Sequence, residues 1–192
     1  MCAMRIVSYS GDQFDGQFAL RLKKSARALE LDCELYRWPR ETKPHDDRIR
    51  YLTILRSLSG RSPEDVLFVD PQSQFLQRPD VLLDEKDFDI GVYYDSRTLA
   101  VSGPLFLRHT PRLETFLSEW GELQQSFPER SDLENLSQVL AGPRTKVEIR
   151  RLPVTYAWVE RVHRAQYPEA KPVLVEYRTD GLLSSRIKIQ EH

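Results

Sequence analysis

Hydrophobic and polar positions follow one another in an order that predicts a sheet built from strands and helices in alternation. Apolar runs at 4–10, 33–36 and 66–69 predict three strands. Between them, 18–29 and 48–58 repeat apolar residues three and four positions apart, which predicts two amphipathic helices. Strands that are joined through helices run parallel with right-handed crossovers, so this half of the chain predicts an α/β fold.

The second half of the chain carries further strand and helix signals. Its helix signals are a short apolar run at 81–83, Pro111 in a first helical turn, and a capping box from Ser131 to Glu134. Strands are predicted at 89–94, 105–108, 146–152 and 172–177. Without an internal repeat or a linker composition, residues 1–192 are predicted to form a single domain.

Charge and composition narrow the classes of function. The net charge is −1 and the pI is about 6.4, which disfavours general nucleic-acid binding. No apolar stretch is long enough for a membrane span, and no secretion signal opens the sequence, so we expect a cytoplasmic protein. The two cysteines, Cys2 and Cys33, lack metal-type spacing, and Cys33 is predicted to be a buried thiol.

One motif carries the strongest chemical signal. The apolar run at 66–69 ends on Asp70-Pro71-Gln72, and Arg78-Pro79 follows. A buried parallel strand places such an acid at its carboxyl end, where open α/β sheets bind ligands. The segment resembles the apolar-Asp-x-Asp signature of the GT-A family of nucleotide-sugar glycosyltransferases. Asp70 matches the first acid of that signature, whereas Gln72 stands in place of the second.

The resemblance implies a Rossmann-like GT-A sandwich, with a mostly parallel central sheet flanked by helices. It also implies a nucleotide-sugar donor, with Ser8, Tyr9 and Ser10 holding the nucleobase and ribose. Arg48 or Arg50 would steady the diphosphate, since a guanidinium matches phosphate oxygens bidentately. The structural alternatives are an ordinary strand end and a solvated helix face.

Two later segments resemble the sugar and acceptor side of the family's cleft. Ser102 and Gly103 open a stretch similar to the one that lines the cleft, and Gly103 allows close approach of a ligand. Asp132 matches an acid that often points into the acceptor site, although the capping box explains its neighbours equally well. The resemblance therefore implies Asp70 and Asp132 as catalytic residues. Asp95 is a further cleft candidate by position, and His109 is predicted to be a surface or capping residue.

Metal binding is where the sequence departs from the family. The resemblance implies Mn²⁺ or Mg²⁺ with Asp70 as a ligand, but an amide at Gln72 should bind a hard cation less well than a carboxylate. The segment at 172–177 corresponds to a strand that often ends in a metal-binding histidine, and no histidine stands there. Three explanations stay open, namely weak metal binding, a basic residue in place of the metal, or lost activity.

The leading hypothesis is a glycosyltransferase that moves a sugar from a nucleotide diphosphate sugar to an unidentified acceptor, with weak or absent metal dependence. The alternative is a catalytically degenerate GT-A-like domain that binds a nucleotide sugar, a glycan or a protein. A nucleotidyltransferase is the third hypothesis, and it would require a glycine-rich phosphate loop of which 10–16 is only a faint version.

Overall fold

The computed structural model describes residues 4–10, 13–38, 49–59, 64–94, 101–142, 144 and 146–177, with the backbone alone at 13–15, 101 and 102. No helix in these ranges is long and apolar enough to cross a membrane. The elements are β1 (Met4–Ser10), α1 (Gln13–Ala28), β2 (Asp32–Arg37), α2 (Ile49–Leu58), β3 (Asp65–Phe68), β4 (Ser73–Phe75), α3 (Asp80–Asp84), β5 (Ile90–Tyr94), β6 (Val101–Leu107), α4 (Pro111–Ser126), α5 (Asp132–Ala141), β7 (Ile149–Arg151), α6 (Glu160–His163) and β8 (Leu174–Glu176).

Six strands form the central sheet in the order β2-β1-β3-β6-β5-β7. β1 runs parallel to both β2 and β3, and β5 runs parallel to β7. β6 is antiparallel to both of its neighbours. The predicted α/β class, with a mostly parallel sheet flanked by helices, is confirmed.

Helices cover both faces of the sheet. One face packs against α2, α4 and α5, and the other packs against α1 and α3. The helix predicted to start at Pro111 is present as α4, and its Phe116 and Trp120 are fully buried in the first of these layers. The predicted capping box is also present, because the Ser131 side chain accepts from the Glu134 amide and the Glu134 carboxylate accepts from the Ser131 amide. The chain therefore folds as three layers with a continuous sheet at the centre.

Three differences between the predicted and the observed elements bear on the fold. The strand predicted at 146–152 is limited to Ile149–Arg151, and β4 was not predicted at all. β4 pairs antiparallel with β8 in a separate two-stranded sheet, which the spacing of apolar residues does not reveal. The third difference concerns α2, which buries Arg50, Thr53 and Ile54 instead of presenting a purely apolar face.

A glycine inside α4 yields a prediction about helix packing. A Cβ at Gly121 would overlap the Tyr51 hydroxyl and would lie 3.2 Å from the ring carbon that carries it. We expect Gly121→Ala to destabilise the protein by about 1–3 kcal/mol through overpacking, although alanine favours helices. In a Tyr51→Phe background the cost should shrink, because the hydroxyl is gone. Denaturant unfolding of the wild type, the two single variants and the double variant measures the coupling between Gly121 and Tyr51. An equal loss of stability from Gly121→Ala in both backgrounds would contradict the prediction.

The buried thiol yields a second prediction. Cys33 is 5% exposed, and burial raises the pKa of its thiol to about 12. At pH 8 its thiolate fraction should then be roughly a thousandth of that of a free cysteine. In a Cys2→Ser variant we expect an aromatic disulfide reagent to label Cys33 only as the protein unfolds. Rapid labelling of the native protein, with a rate independent of denaturant, would show that Cys33 is accessible.

Candidate functional site

Asp70 lies in a tight turn at the carboxyl edge of β3. The Val69 amide still donates to the Val7 carbonyl at 3.0 Å, so pairing with β1 continues up to the turn. The Asp70 carbonyl then accepts from the Ser73 amide at 3.1 Å, which closes a four-residue turn. Pro71 stands second in it, the position whose backbone angle proline already favours. The turn leaves the Asp70 side chain 34% exposed at the edge of the sheet.

Arg50 reaches this turn from the first turn of α2. Its side chain is 7% exposed, and its Nη2 donates to Asp70 Oδ2 at 3.1 Å. Its Nη1 donates to the Gly103 carbonyl at 3.0 Å. The guanidinium lies over the Phe68 ring, 5.0 Å from the ring centre. The buried guanidinium of Arg50 therefore links the turn at the carboxyl end of β3 to the start of β6.

Asp132 approaches the same guanidinium from α5. Its Oδ2 lies 4.0 Å from Arg50 Nε, and its side chain is 9% exposed. The capping box fixes the start of α5, and the Asp132 carbonyl accepts from Trp120 Nε1 at 3.3 Å. The helix cap and this buried hydrogen bond therefore hold the Asp132 carboxylate beside Arg50. The capping role of its neighbours is compatible with the position of Asp132 beside Arg50.

Glu176 is a neighbour of the site that sequence reasoning missed. Gly103 has a φ of +68°, and a Cβ there would lie 2.7 Å from Glu176 Oε1 and 3.1 Å from the Ala157 Cβ. Glu176 ends β8, within the segment where a histidine was expected. An acid that ends an apolar run was the signal that identified Asp70, and the same signal was present here.

The electrostatics of the site centre on Arg50. Burial alone would lower the pKa of the Arg50 guanidinium. The charges of Asp70 and Asp132, with smaller contributions from Tyr9 and Glu176, outweigh burial and raise that pKa. Arg50 therefore stays charged in the folded protein, and three carboxyl groups of the described residues face it.

The three polar residues at the end of β1 point to different faces of the sheet. Tyr9 shares the face of Phe68, with the two rings stacked at 6.4 Å and 20°. Since side chains alternate along a strand, Ser8 and Ser10 lie on the opposite face. Ser8 is fully buried, and its hydroxyl has no hydrogen-bond partner in the part of the chain that the structure describes. Of the three, Tyr9 is thus the one beside Arg50.

The structure brings some of the predicted site residues together and leaves others undetermined. Asp70, Gly103 and Asp132 meet around Arg50. The Gln72 carbonyl accepts from the Tyr177 amide at 2.9 Å, which fixes the turn against the end of β8. Outside the described residues lie Arg48, Asp95 and the side chain of Ser102.

His109 lies away from this cluster. It follows the end of β6, and its amide donates to Asp65 Oδ1 at 2.9 Å. β6 is antiparallel to β3, so its end meets the start of β3, opposite the edge that carries Asp70. His109 is exposed, which agrees with the prediction of a surface or capping residue.

Comparisons with known proteins find glycosyltransferases at the level of fold. No protein-family model and no curated protein matches the sequence. Similar solved structures include a glycosyltransferase involved in glycosylation of the major capsid of PBCV-1, with a TM-score of 0.67, 12% identity, and coverage of 91% of this chain and 92% of that one. Another is the galactosyltransferase LgtC in complex with donor and acceptor sugar analogs, with a TM-score of 0.60, 10% identity and coverage of 92% and 88%. Mouse xyloside xylosyltransferase 1 gives a TM-score of 0.54, 8% identity and coverage of 92% and 98%.

These likenesses extend over nearly the whole of this chain and of the three compared chains. The protein therefore has the GT-A glycosyltransferase fold, as the motifs predicted. At 8–12% identity the likeness concerns the fold, so the function has to be argued from the site.

Proposed function

We propose that this protein is a glycosyltransferase that moves a sugar from a nucleotide diphosphate sugar to an acceptor. The observation that carries the proposal is the convergence of Asp70, Gly103 and Asp132 on Arg50. These residues come from separate segments of the chain, and the sequence motifs alone already indicate each segment as part of the site. They meet at the carboxyl edge of β3, where open α/β sheets bind ligands.

The donor half of the proposed site lies at the ends of β1 and β3. Arg50 holds Asp70 by its Oδ2, while about a third of the Asp70 side chain stays exposed to a ligand. We assign Tyr9, Ser8 and Ser10 to the nucleobase and ribose, with Tyr9 nearest to Arg50. Arg48 is proposed to steady the diphosphate, since the donors of Arg50 already engage Asp70 and Gly103.

The sugar and acceptor half lies at the start of β6 and of α5. Gly103 lets the backbone lie close to other groups, with Glu176 and Ala157 packed against it. We propose that Ser102 and Gly103 line the sugar cleft and that Asp132 orients the acceptor. Transition-state stabilisation would come from charge placed against the leaving diphosphate.

A divalent metal would be held mainly by the substrate. Among the described residues, no group of three or more His, Cys, Asp or Glu side chains could hold a metal ion. Asp70 and the amide oxygen of Gln72 are hard oxygen ligands in one turn, and Mg²⁺ commonly binds through one carboxylate plus substrate phosphates. Bound to Asp70 and Gln72, Mn²⁺ or Mg²⁺ would offset the negative charge of the diphosphate. We therefore propose metal dependence that is weak or absent.

Substitution of Gln72 tests this proposal. Gln72→Asp would restore the second acid of the family signature and should lower the Mn²⁺ concentration needed for half-maximal activity by roughly tenfold. Gln72→Asn is the matched control, because it shortens the side chain without adding a charge. An unchanged metal requirement in Gln72→Asp would show that this side chain does not face the diphosphate.

The proposed activity is tested by release of nucleoside diphosphate from a panel of nucleotide sugars, with candidate acceptors and with water. Turnover of one donor that is lost in Asp70→Ala supports the proposal. Binding of a donor without turnover, even with acceptors, would favour the degenerate binding domain. Turnover of a nucleoside triphosphate instead would favour the nucleotidyltransferase. The cytoplasmic location and the single domain over 1–192 stay predictions from the sequence.

A further inference from the structure

A cavity of about 270 Å³ lies at the edge of the sheet opposite the proposed donor site. Strand register defines that edge, because Leu107 at the end of β6 pairs with Val66 near the start of β3 and with Ile90 at the start of β5. Asp70 and Gly103 lie at the other ends of β3 and β6. The cavity is lined by Pro111, Arg112, Thr115, Phe116, Arg144 and Lys146.

This cavity carries an excess of positive charge. Three of the six lining residues are cationic, and none is acidic. Arg112 is offset by Asp89, whose Oδ2 lies 3.0 Å from Arg112 Nη1. Burial would raise the pKa of Asp89, but hydrogen bonds from the Glu148 amide and from Arg112 outweigh it and lower that pKa.

Two cations remain after that pairing. Within the described part of the chain, no hydrogen bond or ion pair engages Arg144 or Lys146. Both side chains are exposed, and both line the same concavity. Like charges brought together without a counter-charge repel one another, and a multiply charged anion between them would relieve that repulsion. The excess charge therefore favours a dianionic ligand over a single carboxylate.

The remaining walls are mostly apolar. Phe116 is fully buried and lies beside Pro111 and Thr115 in the lining. A guanidinium presents parallel N–H donors that match phosphate oxygens, whereas a lysine ammonium adds a point charge. The geometry points to a second ligand site, separate from the donor site, that binds a phosphate group carried by a compound with an apolar portion. That phosphate group belongs either to a free phosphate compound or to a lipid headgroup.

Binding of pyrophosphate, followed by amide NMR at constant ionic strength, tests this inference without any assay of activity. We expect saturable shifts at the amides of Arg112, Thr115 and Lys146. The double variant Arg144→Ala/Lys146→Ala should weaken this binding by roughly tenfold, since it removes both unpaired charges.

The control variant is Lys24→Ala/Arg27→Ala, which removes the same two charges from the exposed side of α1 and should change the affinity less than about twofold. Site-resolved signals separate this cavity from the donor site, where pyrophosphate would shift Tyr9 and Asp70 instead. Shifts confined to the donor site together with no co-sedimentation of acidic vesicles, or equal weakening in both double variants, would overturn the inference.

Vesicles of phosphatidylcholine with and without phosphatidic acid distinguish the two sources of the phosphate group. Co-sedimentation with the acidic vesicles alone, lost in Arg144→Ala/Lys146→Ala, identifies a lipid headgroup. Binding of pyrophosphate without co-sedimentation identifies a free phosphate compound. Failure of both pyrophosphate and acidic vesicles to bind would overturn the inference, whatever the outcome at the donor site.

Discussion

Asp70→Ala should lower kcat/KM by roughly a hundredfold or more and abolish detectable donor binding, a loss comparable with removal of one main electrostatic group from an active site. The Asp70 side chain is 34% exposed, against 9% for Asp132, and it is fixed both by its turn and by Arg50. The variant removes the group that the donor would meet and also releases Arg50 from its strongest partner.

The same substitution should lower stability moderately. It leaves a guanidinium that is 7% exposed with the Gly103 carbonyl at 3.0 Å and the Asp132 carboxylate at 4.0 Å. Loss of a hydrogen bond to a charged group costs about 1–3 kcal/mol, which a chain of this size should tolerate. Denaturant unfolding and steady-state kinetics on the same preparation separate the two effects.

Asp80→Ala is the matched control for Asp70→Ala. Its side chain is 67% exposed and pairs with Arg78 on the surface. We expect unchanged kinetics and a change in stability within about 0.5 kcal/mol. If Asp70→Ala retained full activity while folded, Asp70 would be a turn residue and the proposed donor site would be wrong.

Gly103→Ala should produce the largest loss of stability, about 2–5 kcal/mol. A positive φ costs a residue with a Cβ about 1–2 kcal/mol, and overpacking adds a further 1–3 kcal/mol. Both apply here, since φ is +68° and the new Cβ would lie 2.7 Å from Glu176 Oε1. For a chain of this length each kcal/mol shifts Tm by about 2–4 °C, so calorimetry measures the effect directly.

Gly16→Ala is the control for this prediction. Gly16 lies in α1, and a Cβ there would meet nothing within 4 Å. Alanine favours helices over glycine, so this variant should be stabilised by about 0.5–1 kcal/mol. Adding Glu176→Ala to Gly103→Ala should recover the part of the steric loss that Glu176 causes, but neither the contact with Ala157 nor the backbone part. No recovery would show that Glu176 does not press on this position.

The sequence was sufficient to predict the elements that build the sheet and the acid at its edge. Alternating strands and helices in the first half determine parallel pairing, and a proline after an apolar run ends β3 at Asp70. The capping box at Ser131 was equally local, because it depends on residues three positions apart. Such features follow from short-range patterns and need no knowledge of the packing.

Other features of the site depend on tertiary packing, and local sequence patterns did not predict them. A solvated helix face was the structural alternative for Arg50, because a periodicity argument counts apolar residues and not paired charges. Its burial depends on Asp70, Asp132 and a backbone carbonyl, which come from distant segments. Glu176 was overlooked because β8 pairs with the unpredicted β4, so nothing local placed its carboxylate against Gly103.

Calorimetric titration with nucleoside diphosphates and nucleotide sugars, with and without Mn²⁺ or Mg²⁺, tests the central claim most directly. The account predicts saturable one-to-one binding of a donor with one preferred base, lost in Asp70→Ala and retained in Asp80→Ala. It also predicts that the metal changes the affinity only modestly. Absence of binding for every donor to the folded protein, with and without metal, would contradict the assignment of this sheet edge as a nucleotide-sugar site.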